Sequence, residues 1–145
     1  MRRRLLLLAA TAWLVSGCSS GGSPARAAYV PVPDSVLYSR IAHLPGVTHA
    51  DLGWTNKFGH PNAYGGVIDV RRGVDPVHVL DEVLAILWTG RPGASLQGVI
   101  INPQGEDEVF TTTVGLGSPS ALAARYGPQP GDGVPPPTPL KRSSG

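Results

Sequence analysis

Two histidines and an aspartate in the first half of the chain have the side-chain types of a metal site. His49 and Asp51 alternate in a predicted strand, so they share one face of it and lie about 7 Å apart. His60 follows in a predicted loop, and imidazole together with carboxylate suits zinc, copper or nickel. Polar residues on a solvated strand face and in a loop account for the same pattern. We favour that explanation and expect no metal site and no cofactor.

A second group of side chains could bind a partner. The stretch LGWTNKFGHPNAYGG places Trp54, Phe58 and Tyr64 around a long glycine-rich turn between two predicted strands. Aromatic side chains beside flexible polar residues suit contact with a carbohydrate or a protein. The alternative is that Trp54 and Tyr64 pack against the edge of the core.

The chain lacks the sequence patterns of a catalytic site. No nucleophile elbow surrounds Ser39 or Ser95, and the GLGS stretch before the last predicted helix lacks the lysine of a phosphate-binding loop. The acidic residues 106–108 lie in a predicted turn, where solvated charge is the ordinary explanation. We therefore predict a protein that is not an enzyme.

The chemistry of Cys18 depends on what surrounds it. It is the single cysteine of the chain, so it forms no internal disulfide, and the paired spacing of a structural zinc site is missing. A short run of arginines precedes an uncharged apolar run over residues 5–15. That apolar run is shorter than the about 20 residues needed to span a bilayer, and it fits the core of a secretory signal.

The box Val15-Ser16-Gly17-Cys18 resembles the lipobox of bacterial lipoproteins. The resemblance implies a signal peptide over residues 1–17, cleavage after Gly17, and a diacylglyceryl group, with acyl chains such as palmitate, on the Cys18 sulfur. Two acyl chains make a durable anchor, because each buried methylene contributes about 0.8 kcal/mol. The alternative is an ordinary secretory signal with an incidental cysteine. The whole chain also resembles small actinobacterial lipoproteins, which implies a location on the extracytoplasmic face of the cell membrane without implying an activity.

The charge of the chain gives no reason to expect a nucleic-acid partner. The formal net charge is +2, but removing the arginines at positions 2–4 leaves nine basic residues against ten acidic ones. Binding to phosphate needs clustered lysine and arginine. The expected partners are therefore the membrane, through the lipid on Cys18, and an envelope protein or polymer.

Composition divides the mature chain into three parts. Residues 18–28 are rich in serine, glycine and alanine, which predicts a flexible tether. Residues 29–126 carry the apolar patterns of one small domain. Residues 127–145 are rich in proline and nearly free of large apolar side chains, which predicts a disordered tail.

The patterns within the domain predict a helix and two strands, then the same order again, then a short helix. Asp34, Asp75 and Ser118 are the predicted N-caps of the three helices, and a β-branched run over residues 109–116 is the predicted fourth strand. This αββαββ order predicts an α+β fold. We expect a permuted ferredoxin-like two-layer sandwich, in which two helices cover one face of four antiparallel strands.

A second resemblance supports that fold. The stretch HLPGVTHADL resembles the helix-to-strand turn of heavy-metal-associated domains, which have a ferredoxin-like sheet. Those domains bind metal through a Cys-x-x-Cys pair that this chain lacks, so the resemblance implies the fold and not copper binding. We predict a lipid-anchored extracytoplasmic lipoprotein that acts as a non-catalytic interaction or binding module at the cell envelope. The alternative is an envelope protein that binds a small ligand or a metal.

Overall fold

The computed structural model describes residues 29–143, which form one sheet and a layer of helices. Gly17 and Cys18, with the predicted signal peptide and tether, lie outside the described residues. Among residues 29–143, no helix is both long and apolar enough to cross a bilayer. The elements in chain order are α1 (Asp34–Ala42), β1 (Val47–Lys57), β2 (His60–Val70), α2 (Pro76–Leu87), β3 (Ser95–Pro103), β4 (Val109–Phe110), a 3₁₀ turn (Thr111–Val114) and α3 (Pro119–Tyr126).

The four strands lie side by side in the order of the sequence. β1 and β2 form an antiparallel hairpin, β2 and β3 are parallel, and β3 and β4 are antiparallel. The α+β class and the four-stranded sheet are as predicted, but the expectation of a purely antiparallel sheet is wrong at the central pair. The reason is that α2 crosses over between two directly neighbouring strands, and such a connection makes them parallel. The ferredoxin-like permutation is not confirmed, because its split βαβ units place another strand between the two that are joined.

The first hairpin is much tighter than its sequence suggests. Lys57 pairs with His60, so the loop contains only Phe58 and Gly59, instead of the long turn-rich loop that we expected. Gly59 has φ 88°, which a type II turn requires at its second central residue. Pro61 is tolerated because it lies where the register shifts, at a bulge in which its missing N–H disturbs no ladder bond.

The core lies between the sheet and the helices. One face of the sheet supplies fully buried side chains, and α1 contributes Leu37 and Ile41 to the same core. α2 is buried on almost every side, and only His78 and Glu82 among its residues are not buried. The buried strand residues that meet the helices are Tyr64, Ile68, Val70, Leu96, Val99, Ile101 and Val109.

Two of the three predicted caps are confirmed. The Asp75 carboxylate accepts a hydrogen bond from the amide of Val77 at 2.9 Å, and the Ser118 hydroxyl accepts one from the amide of Ala121 at 3.2 Å. Asp34 does not cap α1, because it is the first helical residue and its carboxylate binds distant side chains instead. The predicted fourth strand is shorter than expected, because the chain turns into the 3₁₀ segment at Thr111. The Thr111 hydroxyl donates to the Leu96 carbonyl oxygen on β3 at 2.9 Å.

The segment after α3 differs from the expected disordered tail. Residues 127–143 run over the helical layer and contact it at several points. The indole of Trp88 donates to the carbonyl oxygen of Gly127 at 2.9 Å, and the amide of Ser143 donates to the carbonyl oxygen of Thr113 at 2.8 Å. Gly131 lies so close to the Trp88 ring that an added Cβ would be 3.0 Å from it. The segment needs no core of its own, because it covers the outer side of α2.

Candidate functional site

The end of the domain that carries the tip of the β1–β2 hairpin contains the three aromatic side chains singled out in the sequence, Trp54, Phe58 and Tyr64. We call this the hairpin end. Trp54 and Tyr64 lie opposite each other on the two strands, near the tip. The guanidinium of Arg91, from the loop after α2, stacks on the Trp54 ring with its carbon 3.8 Å from the ring centroid. This arrangement is a cation–π contact between a loop and the hairpin.

Arg91 is held in place by an ion pair with Asp34. Its Nε and Nη2 atoms donate to one Asp34 carboxylate oxygen at 3.1 and 2.7 Å. The Tyr64 hydroxyl donates to the other oxygen at 2.7 Å and accepts a hydrogen bond from the Arg91 amide at 3.2 Å. Burial alone would raise the pKa of Asp34, but the hydrogen bonds from Arg91 and Tyr64 outweigh it and hold that pKa below its ordinary value. Burial and the Asp34 carboxylate raise the pKa of Tyr64, which stays protonated.

The hairpin is fastened to the same loop by Asn62. The Trp54 indole donates to the side-chain oxygen of Asn62 at 3.0 Å. The side-chain nitrogen of Asn62 donates to the Pro92 carbonyl oxygen, also at 3.0 Å. Asn62 has φ 46°, and its backbone N–H is accepted by the Asn56 side chain at 3.0 Å. Trp54 and Tyr64 are therefore engaged within the domain, as the packing alternative predicted.

Close packing behind this network leaves no room for a side chain at position 90. A Cβ on Gly90 would lie 2.6 Å from the Tyr64 hydroxyl oxygen and 2.7 Å from a methyl carbon of Leu37. Tyr38 packs edge-on against Tyr64, with ring centroids 6.4 Å apart. The Tyr38 hydroxyl is buried, and within residues 29–143 it has no hydrogen-bond partner.

Phe58 is the one member of the predicted recognition loop that is left outside. Its side chain is fully exposed at the tip of the hairpin. The tip also carries Lys57 and His60, both exposed. Of the three aromatic residues predicted to form a recognition surface, the structure therefore leaves Phe58 free for contact with a partner.

The face of the sheet turned away from the helices is open in the described part of the chain. Register brings Val67, Ile100 and Phe110 into one apolar row across β2, β3 and β4. Beside it lies a row of glycines, Gly53, Gly65 and Gly98. Gly65 and Gly98 line a shallow depression of about 290 Å³. A second depression of about 390 Å³ lies at the end opposite the hairpin tip, and it is lined by Thr48, Asp69, Val70, Arg71, Asn102 and Gln104.

The register separates the three metal-site candidates. His49 and Asp51 are exposed on the open face, with His49 opposite Asp69. His60 pairs with Lys57 at the other end of β1, about 25 Å from His49. Three residues so far apart cannot ligate one ion. Within residues 29–143, no group of three or more histidine, cysteine or acidic side chains is placed to hold a metal.

A buried ion pair joins α2 to α3 beneath the helical surface. The Asp81 side chain is 4% exposed and accepts hydrogen bonds from the guanidinium of Arg125 and, at 2.7 Å, from the hydroxyl of Tyr126. Burial and the Asp81 carboxylate raise the pKa of Tyr126. Arg125 also donates to the Thr138 carbonyl oxygen at 2.9 Å, so the pair holds the C-terminal segment as well. This cluster has its polar groups satisfied internally and serves the fold.

Sequence reasoning did not find the pairing of Asp34 with Arg91. The two residues are 57 positions apart. In the sequence Asp34 is explained as the start of a helix, and Arg91 as part of a turn between glycine and proline, so neither residue indicates a distant partner. Comparison with known proteins adds nothing to the site, since no family model, curated protein or solved structure matches the chain.

Proposed function

We propose that this chain is a lipid-anchored extracytoplasmic lipoprotein that acts as a non-catalytic binding module at the cell envelope. The observation that carries the proposal is the Val15-Ser16-Gly17-Cys18 box directly after an apolar run of signal-peptide length. A diacylglyceryl group on Cys18 would hold the mature chain on the outer face of the cell membrane.

The open face of the sheet is the surface that such a module would offer to a partner. The apolar row of Val67, Ile100 and Phe110, in which Val67 is exposed and the other two are half-buried, crosses three strands. Polar side chains lie along its borders. An apolar centre with a polar rim suits a protein surface. Anchoring confines the chain to the membrane surface, so we take the partner to be another envelope protein and not a polymer.

The anchor is tested by labelling cells with an alkyne analogue of palmitate. The wild-type chain should carry the label and sediment with membranes, whereas Cys18→Ala should lose the label. A label that persists in Cys18→Ala, or a wild-type chain that takes up none, would refute the anchor.

The partner surface is tested by crosslinking in intact cells with a matched pair of variants. Val67 is 37% exposed on the open sheet face, and Val36 is 45% exposed on α1 at the opposite layer. Val67→Arg should abolish a specific crosslinked product that Val36→Arg retains, at equal amounts of membrane-bound protein. Products that both variants retain would exclude the open face as the contact, and a product that is digested by a muramidase and not by a protease would identify a polymer.

The alternative function, binding of a small ligand, is favoured by one observation. The depression at the end opposite the hairpin tip is lined by polar groups, and Asn102 donates to the Asp69 carboxylate there at 2.7 Å. A ligand screen by thermal shift on wild type and Asp69→Asn would test it. A compound that raises the melting temperature of the wild type but not of Asp69→Asn would establish this function.

A further inference from the structure

The place where the chain enters the domain sets how an anchored molecule would stand on a membrane. The Tyr29 hydroxyl donates to the Gly90 carbonyl oxygen at 2.9 Å, and the Val32 amide donates to the Thr89 carbonyl oxygen at 3.2 Å. The first described residues are therefore fixed to the loop that follows α2.

The same loop contacts the hairpin, so the chain enters at the hairpin end. Arg91 stacks on Trp54, and the Pro92 carbonyl oxygen accepts a hydrogen bond from Asn62, two residues beyond His60. β1 runs about 33 Å from Val47 to the tip. The opposite end of the domain, with the turns after β2 and β3, is therefore about one strand length away from the point of entry.

The length of chain between the anchor and the domain favours the orientation in which the hairpin end faces the membrane. Eleven residues, Cys18–Ala28, lie between the proposed lipid and the first described residue. Covalent geometry limits their span to about 40 Å even when fully extended. If the opposite end faced the membrane, those eleven residues would have to run back along nearly the whole domain. The hairpin end can contact the membrane even when those residues span only a short distance.

The hairpin tip has the composition of a membrane-interface contact. Phe58 is fully exposed, although a large apolar side chain is ordinarily at least partly covered. Lys57 is next to it, and the sequence has no acidic residue from position 52 to position 68. An aromatic ring at headgroup level beside a lysine that reaches toward phosphate is typical of interfacial membrane contacts. Val30, near the point of entry, is also almost fully exposed.

We propose that the hairpin tip, Lys57–His60, is a second membrane contact, which inserts Phe58 into the headgroup region of the bilayer that holds the Cys18 lipid. This inference rests on the proposed lipid anchor. With the tip down, the strands stand upright on the membrane and the open sheet face points sideways, accessible to a neighbouring envelope protein. The phosphate groups of anionic phospholipids are the chemical partners of Lys57.

The orientation is tested with the full lipidated chain reconstituted into phosphatidylglycerol-containing vesicles that carry brominated acyl chains. Phe58→Trp keeps an aromatic ring at the tip and adds one indole to those of Trp54 and Trp88. Glu106→Trp places an indole in an exposed turn at the opposite end and serves as the control. The fluorescence of each variant minus that of wild type isolates the added indole. We expect bromine to quench the indole at position 58 and not the one at position 106.

A second measurement removes the ring instead of replacing it. Trypsin should cleave after Lys57 in detergent but several-fold more slowly in vesicles, while cleavage after Arg72, in the turn beyond β2, is unchanged. Phe58→Ala should remove this protection, because loss of a phenyl ring that is buried in the bilayer weakens the membrane contact about tenfold or more.

The outcomes separate the two proposals. A chain without lipid on Cys18, by mass of its N-terminal peptide, refutes the anchor and this inference with it. A lipidated chain that floats with vesicles but shows no quenching at position 58 overturns the membrane contact and leaves the anchor intact. Quenching at position 106 instead overturns the orientation. An indole at position 58 that becomes shielded only when envelope proteins are added would show that the tip binds a protein.

Discussion

Trp54→Ala should destabilise the fold, and this variant separates a structural role for the hairpin aromatics from a role in binding. In the structure, Trp54 is half-buried, stacks under the Arg91 guanidinium and donates its indole N–H to Asn62. A residue used in this way contributes to stability whether or not a partner is present. Phe58, four residues further on, is fully exposed and touches none of these groups.

The size of the effect follows from what is lost. A tryptophan side chain of which more than half is buried removes on the order of 100 Å² of apolar surface from water, which contributes about 2.5 kcal/mol at 25 cal/mol per Å². The hydrogen bond to Asn62 adds about 1 kcal/mol. We expect Trp54→Ala to lower the free energy of unfolding by about 3.5 kcal/mol, and Phe58→Ala to change it by less than about 0.5 kcal/mol.

Urea unfolding of the mature chain carrying Cys18→Ala, followed by far-ultraviolet circular dichroism, measures both variants. With an m-value of about 1–3 kcal/mol/M, a loss of about 3.5 kcal/mol lowers the urea midpoint by about 1–3.5 M. Trp54→Phe is the intermediate control, since it keeps a ring under Arg91 but removes the indole donor. It should fall between wild type and Trp54→Ala.

Equal midpoints for wild type and Trp54→Ala would refute the packing argument and return Trp54 to the set of binding residues. A large loss of stability in Phe58→Ala would show that the hairpin tip packs against the domain. That result would remove the basis for a membrane contact at the tip, because a ring buried in the fold is not free to insert into headgroups.

Two further predictions concern the ion pairs. Asp81→Ala should lower the free energy of unfolding, measured with urea, by about 3–5 kcal/mol, because it leaves the largely buried guanidinium of Arg125 without its counter-charge. The triple change Asp81→Leu, Arg125→Met and Tyr126→Phe should restore most of that stability. Since the pKa of Asp34 is lowered in the fold, its contribution is fully present above the unfolded value of about 3.9 and is lost as pH falls through the folded pKa. Wild type should therefore lose stability more steeply than Asp34→Asn below about pH 4, and equal slopes would exclude Asp34 as the source.

The features predicted correctly from the sequence depend on neighbours in the chain. Asp75 caps α2 because its carboxylate reaches the amide of Val77 two residues later, and Ser118 caps α3 in the same way. The alternation in β1 and β2 placed the core face and the open face correctly, because side-chain direction in a strand follows from its period of two. Helix and strand order therefore followed from local chemistry alone.

The features predicted wrongly depend on contacts across the chain. Asp34 has the local signature of an N-cap, and it binds Arg91 and Tyr64 only because the fold brings α1 to the hairpin end. The parallel pairing of β2 and β3 is fixed by where α2 packs, which no pattern within either strand reports. The candidate metal residues, which we did not favour as a site, also show how distance across the fold decides, since the length of an extended strand separates His49 from His60.

The C-terminal segment shows why composition misled the prediction of disorder. A segment with few large apolar residues cannot form a core, and that part of the reasoning holds for residues 127–143. It can still be ordered if it covers apolar surface that belongs to another element. Apart from His78, Asp81 and Glu82, α2 is apolar, so much of its outer surface would face water if α1 and α3 alone flanked it. Gly131 packs against the Trp88 ring, and the Gln129 side chain donates to the Trp88 carbonyl oxygen, so the two residues fill that gap. Hydrogen bonds from Arg125 and to Thr113 hold the backbone of the segment in place. The sequence signal for this order therefore lies in α2, whose polar strip is limited to His78 and Glu82, and not in the segment that covers it.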